Sequence, residues 1–230
     1  MEGIKGVILL AEDDQALAYV IKDSLEEEGY IVIHCADGQE AMDKFNKSAI
    51  DLCILDIMMP HKDGFTVAKK IRQHSDVVPI IFLSTKTQLE DRLKGYETGA
   101  DDYLSKPFHI GELLKKIEVF LRRTKKISSD KKEEFMLGNL KFDFTELKIT
   151  TVDTIFNVTQ KEGDLLKFFA MNANKLLKRE EVLINVWGKD DFFLGRSMDV
   201  YVTRLRKYLK AEPSIMLETI HGIGFRFFVP

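Results

Sequence analysis

The chain opens on short unbroken apolar runs separated by amphipathic stretches. Val7-Ile8-Leu9-Leu10-Ala11, Ile31-Val32-Ile33-His34-Cys35, Leu52-Cys53-Ile54-Leu55-Asp56 and residues 79–83 have strand length without in–out alternation, and the shorter 101–104 closes the series. Such strands are buried on both faces, as in a parallel sheet covered by helices. Between them apolar residues recur at helical spacing. The sets are Leu17, Val20, Ile21 and Leu25, stopped by Gly29; Ala41, Met42 and Phe45; Phe65, Val67, Ala68 and Ile71; Leu89, Leu93 and Tyr96; and Leu113, Leu114, Ile117, Phe120 and Leu121. Five strands alternating with five helices predict a doubly wound α/β domain over residues 1–123.

The pattern then changes. Residues 124–134 (TKKISSDKKEE) hold one apolar residue and read as a flexible connector. In 135–230 the strands at 140–144, 147–150 and 154–158 are shorter and several alternate, which predicts a small antiparallel sheet. Thr159 and Glu162 form a capping box that starts a helix burying Leu165, Leu166 and Phe169. A second helix is predicted over 177–187, ended by Gly188, and a third over 196–213. In the third, Met198, Val202, Leu205 and Leu209 share one face. Arg196, Val200, Thr203, Arg204 and Lys207 lie about half a turn away. A basic face opposite a core stripe suits a helix in the major groove, although an ordinary solvated helix also carries such a face. Residues 216–220 and 225–229 flank His221-Gly222-Ile223-Gly224 as a terminal hairpin, or wing.

The strand ends carry the chemistry. In a parallel sheet the carboxyl ends share one edge, where ligands bind. Glu12 and Asp13, Asp56, Ser84 and Lys106 follow strands one, three, four and five. Taken alone, Asp56 is a nucleophile, a metal ligand or a cap for the next turn. Clustered carboxylates repel unless a cation joins them, and hard oxygen donors suit Mg²⁺. A divalent ion, an ammonium and a hydroxyl around one carboxylate suit phosphoryl transfer to Asp56.

Bulk numbers narrow the setting. A length of 230 residues accommodates two domains, and 45% hydrophobic with 31% charged residues describes a water-soluble chain with real cores. No apolar run is long enough to cross a bilayer and no signal peptide is visible, so the expected location is the cytoplasm, without membrane contact. The two cysteines, Cys35 and Cys53, sit in strand-like runs and are expected as buried free thiols. The net charge of −3 conceals an acidic first part, −6 over residues 1–123, and a basic remainder of +3. That asymmetry fits a regulatory module joined to a nucleic-acid-binding one.

Residues 4–123 resemble a response-regulator receiver domain. The resemblance rests on Leu-Ala-Glu12-Asp13-Asp14, Leu-Asp56-Ile-Met-Met-Pro60-x-x-Asp63-Gly64, Phe-Leu-Ser84, Glu97-Thr-Gly-Ala-Asp-Asp-Tyr103 and Lys106-Pro107-Phe108. It implies a flavodoxin-like five-stranded sheet in which Asp56 accepts a phosphoryl group from a sensor histidine kinase. It further implies Mg²⁺ held by Glu12, Asp13, Asp56 and the Met58 carbonyl, with Lys106 pairing the phosphate behind a cis Lys106-Pro107 bond. Ser84 and Tyr103 would be the switch pair. Ala11 stands where a bulkier residue is usual, and Ser84 where Thr is more frequent. Phosphorylation would promote homodimerisation through Arg92 with Glu112 and Asp102 with Lys116. Glu118 stands where a base would face Asp101, which implies repulsion at that pair.

The second part is similar to the winged-helix effector domain of the OmpR/PhoB family. The matching motifs are Val186-Trp187-Gly188, Arg196-Ser-Met-Asp199-Val-Tyr-Val-Thr-Arg204-Leu-Arg206-Lys207 and Thr219-Ile-His-Gly222-Ile-Gly224-Phe-Arg226. By that resemblance Val200, Tyr201 and Arg204 read base edges of double-stranded DNA, while Arg196, Thr203, Arg206 and Lys207 hold phosphates. His221 occupies the wing position where an arginine often enters the minor groove. The implied protein is a two-component transcription regulator that binds direct-repeat sites as a dimer, with RNA polymerase as a further partner. It is not an enzyme beyond its own phosphoryl transfer and dephosphorylation. One alternative is a phospho-switch acting on a protein partner without DNA. Another, an aspartyl-phosphate phosphatase, needs a second Asp two residues after the nucleophile, where this chain has Met58.

Overall fold

Three aspartates decide where the first helices begin. The Asp14 carboxylate accepts from the amides of Ala16 and Leu17 at 2.9 and 3.1 Å, and Asp37 accepts from Gln39 and Glu40, both at 2.8 Å. Asp63 accepts from Thr66 N at 2.7 Å. Each satisfies amides that a helix start leaves open. They begin α1 (Gln15–Glu27), α2 (Gly38–Phe45) and α3 (Gly64–His74). The computed structural model describes residues 4–46, 48–75, 77–85, 98, 100–125, 133–188 and 192–230, without the side chains of 84, 122–125, 192 and 193. The chain divides into two units, Met1–Lys125 and Lys126–Pro230.

The first unit is a parallel sheet of β1 (Val7–Ala11), β2 (Ile31–Cys35), β3 (Leu52–Asp56), β4 (Ile80–Ser84) and β5 (Asp102–Ser105), in the order β2-β1-β3-β4-β5. That is the doubly wound, flavodoxin-like order. All five residues of β3 are buried, as their unbroken apolar run predicts. One core cluster packs Ile8, Leu10, Ile54 and Ile81 of the sheet against Ile21 and Leu25 of α1 and Leu113, Ile117 and Phe120 of α4 (Ile110–Lys125). The helix expected around Leu89, Leu93 and Tyr96, and Arg92 with it, lies outside the described residues. Cys35 and Cys53 are fully buried, and burial pushes both thiols up to about 12.

At the edge of the sheet opposite the carboxylates, Arg72 on α3 reaches into the interior. Its guanidinium donates to Ser75 O at 3.1 Å, Val78 O at 2.6 Å and the Asp101 carboxylate at 2.7 Å. Asp101 also accepts from Ile80 N at 2.9 Å and is 1% exposed. This corrects the expected interface role: Asp101 is neutralised inside its own unit, so it does not face Glu118 across a dimer. Sequence pattern gave Asp101 and Asp102 equal standing, but the backbone turns them to different sides. Asp102 pairs with Lys116 of α4 at 2.7 Å.

The second unit begins with a four-stranded antiparallel sheet, β6 (Glu134–Leu137), β7 (Leu140–Asp143), β8 (Lys148–Thr150) and β9 (Ile155–Asn157). Three helices follow, α5 (Gln160–Met171), α6 (Arg179–Trp187) and α7 (Phe192–Leu209), and the wing of β11 (Met216–Ile220) and β12 (Gly224–Phe228). Several bounds differ from the sequence expectation. The connector is narrower, since α4 runs through Lys125 and β6 starts at Glu134. Residues 176–178 form β10, paired with β12, instead of opening a helix. That strand is three residues long and owes its existence to a partner far away in sequence. The third helix is displaced toward the N-terminus because its buried stripe begins at Leu194. The Thr159–Glu162 capping box is present. Among the described residues no helix is long and apolar enough to cross a membrane.

Glu212 ties the four-stranded sheet to the turn after α7. Its carboxylate accepts from Ser214 Oγ at 2.5 Å, Ser214 N at 3.1 Å and Asn139 N at 2.9 Å. These donors stabilise the charged form and pull the carboxyl from 4.5 down to about 2. A depressed pKa contributes stability that is whole above about 4.5 and fades as pH falls toward 2. The Glu212→Gln variant should therefore be less stable at neutral pH and show a flatter loss of stability over that acid window. The single tryptophan, Trp187, lies in this unit, so its fluorescence during melting of the full chain checks the result.

Candidate functional site

The sheet places the predicted groups together at the carboxyl ends of its strands. Glu12 follows β1, Asp56 ends β3, and Lys106 follows β5 behind a cis Lys106-Pro107 bond. Lys106 Nζ donates to both Glu12 oxygens, at 2.8 and 2.7 Å, and to Asp56 Oδ2 at 2.5 Å. The other Asp56 oxygen accepts from Met58 N at 2.9 Å. Asp56 is 6% exposed and Glu12 fully buried, while Asp13 and the Met58 side chain are open to solvent.

Burial pushes the Glu12 carboxyl up to about 7; Lys106 opposes the shift and Asp56 adds to it. Burial also acts to lower Lys106, but hydrogen bonds to Asp56 and Glu12 prevail and hold it above its ordinary value. Ligand atoms of Glu12, Asp13 and Asp56 all lie within 4.8 Å of one another. Three carboxylates against one ammonium leave the pocket short of positive charge, and all the donors are hard oxygens. The residues fit Mg²⁺, which takes few carboxylates and keeps several waters.

One support holds the end of the Asp56 strand in place and another holds the Glu12 backbone. Gly64 N donates to Ile57 O at 3.0 Å, and a Cβ at Gly64 would stand 2.2 Å from Asp56 O. Only glycine lets α3 start this close to the end of β3. On the other flank His34 Nε2 lies 2.9 Å from the Glu12 carbonyl, an acceptor, so that nitrogen carries the proton. The sequence reading missed His34 because it sits inside an apolar strand-like run, and its partner is a backbone carbonyl that no residue type announces. Tyr103 is 5% exposed, its ring edge-on to Phe82 with centroids 6.4 Å apart. Ser84 ends β4 opposite Ser105, but its side chain lies outside the described residues.

In the second unit α7 divides the predicted DNA-facing residues into two groups. Arg196, Thr203 and Lys207 are exposed, Val200 is half-buried, and His221 is exposed at the wing turn. Tyr201 is not available: it is fully buried, its ring 5.8 Å from that of Trp187. Its position on the helix faces the core next to Val202 and Leu205, which overturns its expected base-reading role. Arg206 is also committed elsewhere. It donates to Leu217 O and Thr219 Oγ1, both at 2.8 Å, and so clamps β11 instead of standing free for a phosphate. Arg204 pairs with Glu162 Oε1 at 3.4 Å, while the other oxygen of that carboxylate accepts from Thr159 N at 2.9 Å. The sequence marked Glu162 as a helix start and gave no sign of this second duty.

Comparison with known proteins bears on both units. The family model for the response regulator receiver domain matches residues 8–118, and that for the C-terminal domain of transcriptional regulatory proteins matches 153–227. The chain is 40% identical to the transcriptional regulatory protein RprY of Bacteroides fragilis, over 97% of this chain and 94% of that one. It is 36% identical to the response regulator ArlR of Staphylococcus aureus, over 95% and 97%. Among solved structures it is similar to DrrB, an OmpR/PhoB homolog of Thermotoga maritima, at 29% identity and a TM-score of 0.51, covering 97% of this chain and 99% of that one. A RitR mutant aligns at 26% identity and a TM-score of 0.72, covering 98% and 100%. An acidic pocket closed by a lysine, followed by a winged helix and matched over nearly the whole length, identifies the chain as a member of the OmpR/PhoB family of two-component response regulators.

Proposed function

We propose that the chain is a phosphorylation-dependent transcription regulator in which Asp56 accepts a phosphoryl group from a sensor histidine kinase. The observation that carries this reading is Lys106, whose ammonium bridges Asp56 and Glu12 at the sheet edge. A carboxylate nucleophile beside a fixed cation has little else to supply, because phosphoryl transfer depends mainly on positioning and charge neutralisation. Glu12, Asp13, Asp56 and the Met58 carbonyl would hold Mg²⁺, which when bound neutralises charge on the transferring group. Lys106 keeps one Asp56 oxygen oriented and is placed to pair with the phosphate oxygens. Met58 N–H holds the other oxygen. A phosphoryl group on Asp56 adds roughly two negative charges. Ser84 and Tyr103 respond to that charge.

The working division is a receiver over 1–123, a connector over 124–134 and an effector over 135–230. Phosphorylation promotes a receiver homodimer through a face containing Asp102, Glu112, Lys116 and Glu118, and the pair of effectors occupies direct repeats in double-stranded DNA. The protein acts in the cytoplasm, meets RNA polymerase on the promoter, and turns over no substrate besides its own phosphoryl group. Incubation with acetyl phosphate and Mg²⁺ should add one phosphate, read by intact-mass spectrometry. An unmodified mass, or equal modification of Asp56→Ala, would overturn the reading.

DNA contact is tested by salt. Binding that neutralises phosphates weakens linearly in log–log form as salt rises. Lys207→Ala should weaken binding on any sequence and lower the magnitude of the salt slope by about 1, in an anisotropy titration on duplex DNA. Absence of salt-dependent binding would favour a phospho-switch that acts on a protein partner.

A further inference from the structure

Asp199 is an anomaly on a face expected to meet phosphates. It is exposed and lies in the same row of α7 as Arg196 and Thr203, where a carboxylate repels DNA. Its partner is Arg179, the first residue of α6. Arg179 grips both Asp199 oxygens, at 2.8 and 3.0 Å, and also donates to Gly195 O at 2.8 Å. The guanidinium lies 5.3 Å from the ring centroid of Phe225 in wing strand β12, and the Arg179 amide donates to Ile223 O in the wing turn at 3.3 Å. One residue therefore touches the start of the reading helix, the wing strand and the wing tip. At the other end Arg206 fastens α7 to β11. Helix and wing are braced at two points.

We propose that Arg179, anchored by Asp199, is a positioning residue for DNA recognition: it fixes the exposed face of α7 relative to the wing so that both reach the duplex together. This rests on the DNA-binding reading above. A planar fork meets both carboxylate oxygens in a fixed geometry while also reaching a carbonyl, which a lysine ammonium with all its donors on one atom reproduces only in part. Asp199 then contributes by geometry more than it costs by repulsion.

The two effects have opposite signs, which makes the test direct. A duplex enriched from random sequence on the wild-type full chain, and an unrelated duplex, are titrated by anisotropy at several salt concentrations. If charge alone mattered, Asp199→Asn would tighten binding to both. Positioning instead predicts about a tenfold loss on the enriched duplex, with the unrelated duplex unchanged or tighter, because only base contacts need the geometry. Arg179→Met should lose as much on the enriched duplex with an unaltered salt slope, and Arg179→Lys should recover part of it. Tighter or unchanged binding by Asp199→Asn on the enriched duplex would overturn the proposal. So would an Arg179→Met slope reduced by about 1 on both duplexes, since that marks a direct phosphate contact. Should Arg179→Met fail to fold, Asp199→Asn and Arg179→Lys decide alone. A wild-type chain with no salt-dependent binding would refute the DNA reading itself.

Discussion

Replacing Gly64 by alanine is expected to cost the receiver both stability and the phosphoryl chemistry proposed for it. The new Cβ would sit 2.2 Å from the Asp56 carbonyl oxygen and 3.0 Å from the Asp56 carbonyl carbon and Ile57 Cα, all backbone atoms with no rotamer to yield. Either α3 backs away or the end of β3 moves. Overpacking of this kind costs about 1–3 kcal/mol, and more where backbone must shift. Because the displaced residue is the proposed phosphoryl acceptor, acetyl-phosphate labelling should also slow by about a hundredfold, a penalty that a misplacement of about 1 Å can carry. Gly111→Ala is the control, since nothing lies within 4 Å of a Cβ there. Gly111 lies inside α4, where alanine should be neutral or stabilising. Urea unfolding followed by circular dichroism, with labelling rates by mass spectrometry, checks both halves. Labelling of Gly64→Ala at the wild-type rate would show that the close approach does not position Asp56.

Arg72→Met should be comparably damaging without touching the site. The Arg72 and Asp101 side chains are 11% and 1% exposed, so the pair is desolvated on both sides. Removing one member of a buried pair leaves the other charge in a low-dielectric interior, at about 3–5 kcal/mol. Three acceptors lose the Arg72 donor at once, Ser75 O, Val78 O and Asp101, of which Asp101 keeps Ile80 N. Asp101→Asn should cost less, because the amide oxygen can still accept from Ile80 N and from Arg72. The expected order in urea midpoint is wild type, then Asp101→Asn, then Arg72→Met. Equal midpoints for the wild type and Arg72→Met would refute the account.

The parallel sheet was legible because its inner strands are buried on both faces and need no distant information, and even the partly exposed edge strand β2 is apolar: β1, β2 and β3 fall on the bounds their apolar runs suggest. The acidic pocket was legible for a related reason, since sheet topology alone carries Glu12, Asp56 and Lys106 to one edge. What the pattern hid depends on partners remote in sequence. Strand β10 exists because Leu177 meets Phe225. Tyr201 looked like a reader because its neighbours Val200 and Arg204 belong to the motif, yet a helix turns 100° per residue and carries it into the core. Asp101 faced inward because Arg72 waited there. Arg206 and Glu162 serve tertiary hydrogen bonds that a residue type cannot announce.

The two thiols, shielded inside the sheet and held protonated, have a consequence for what the molecule can sense. Peroxides and disulfide reagents attack thiolates that they can reach. With Cys35 and Cys53 withheld on both counts, oxidative stress has no chemical handle on cysteine in this regulator. Whatever signal this chain passes on should not depend on oxidation of its own cysteines.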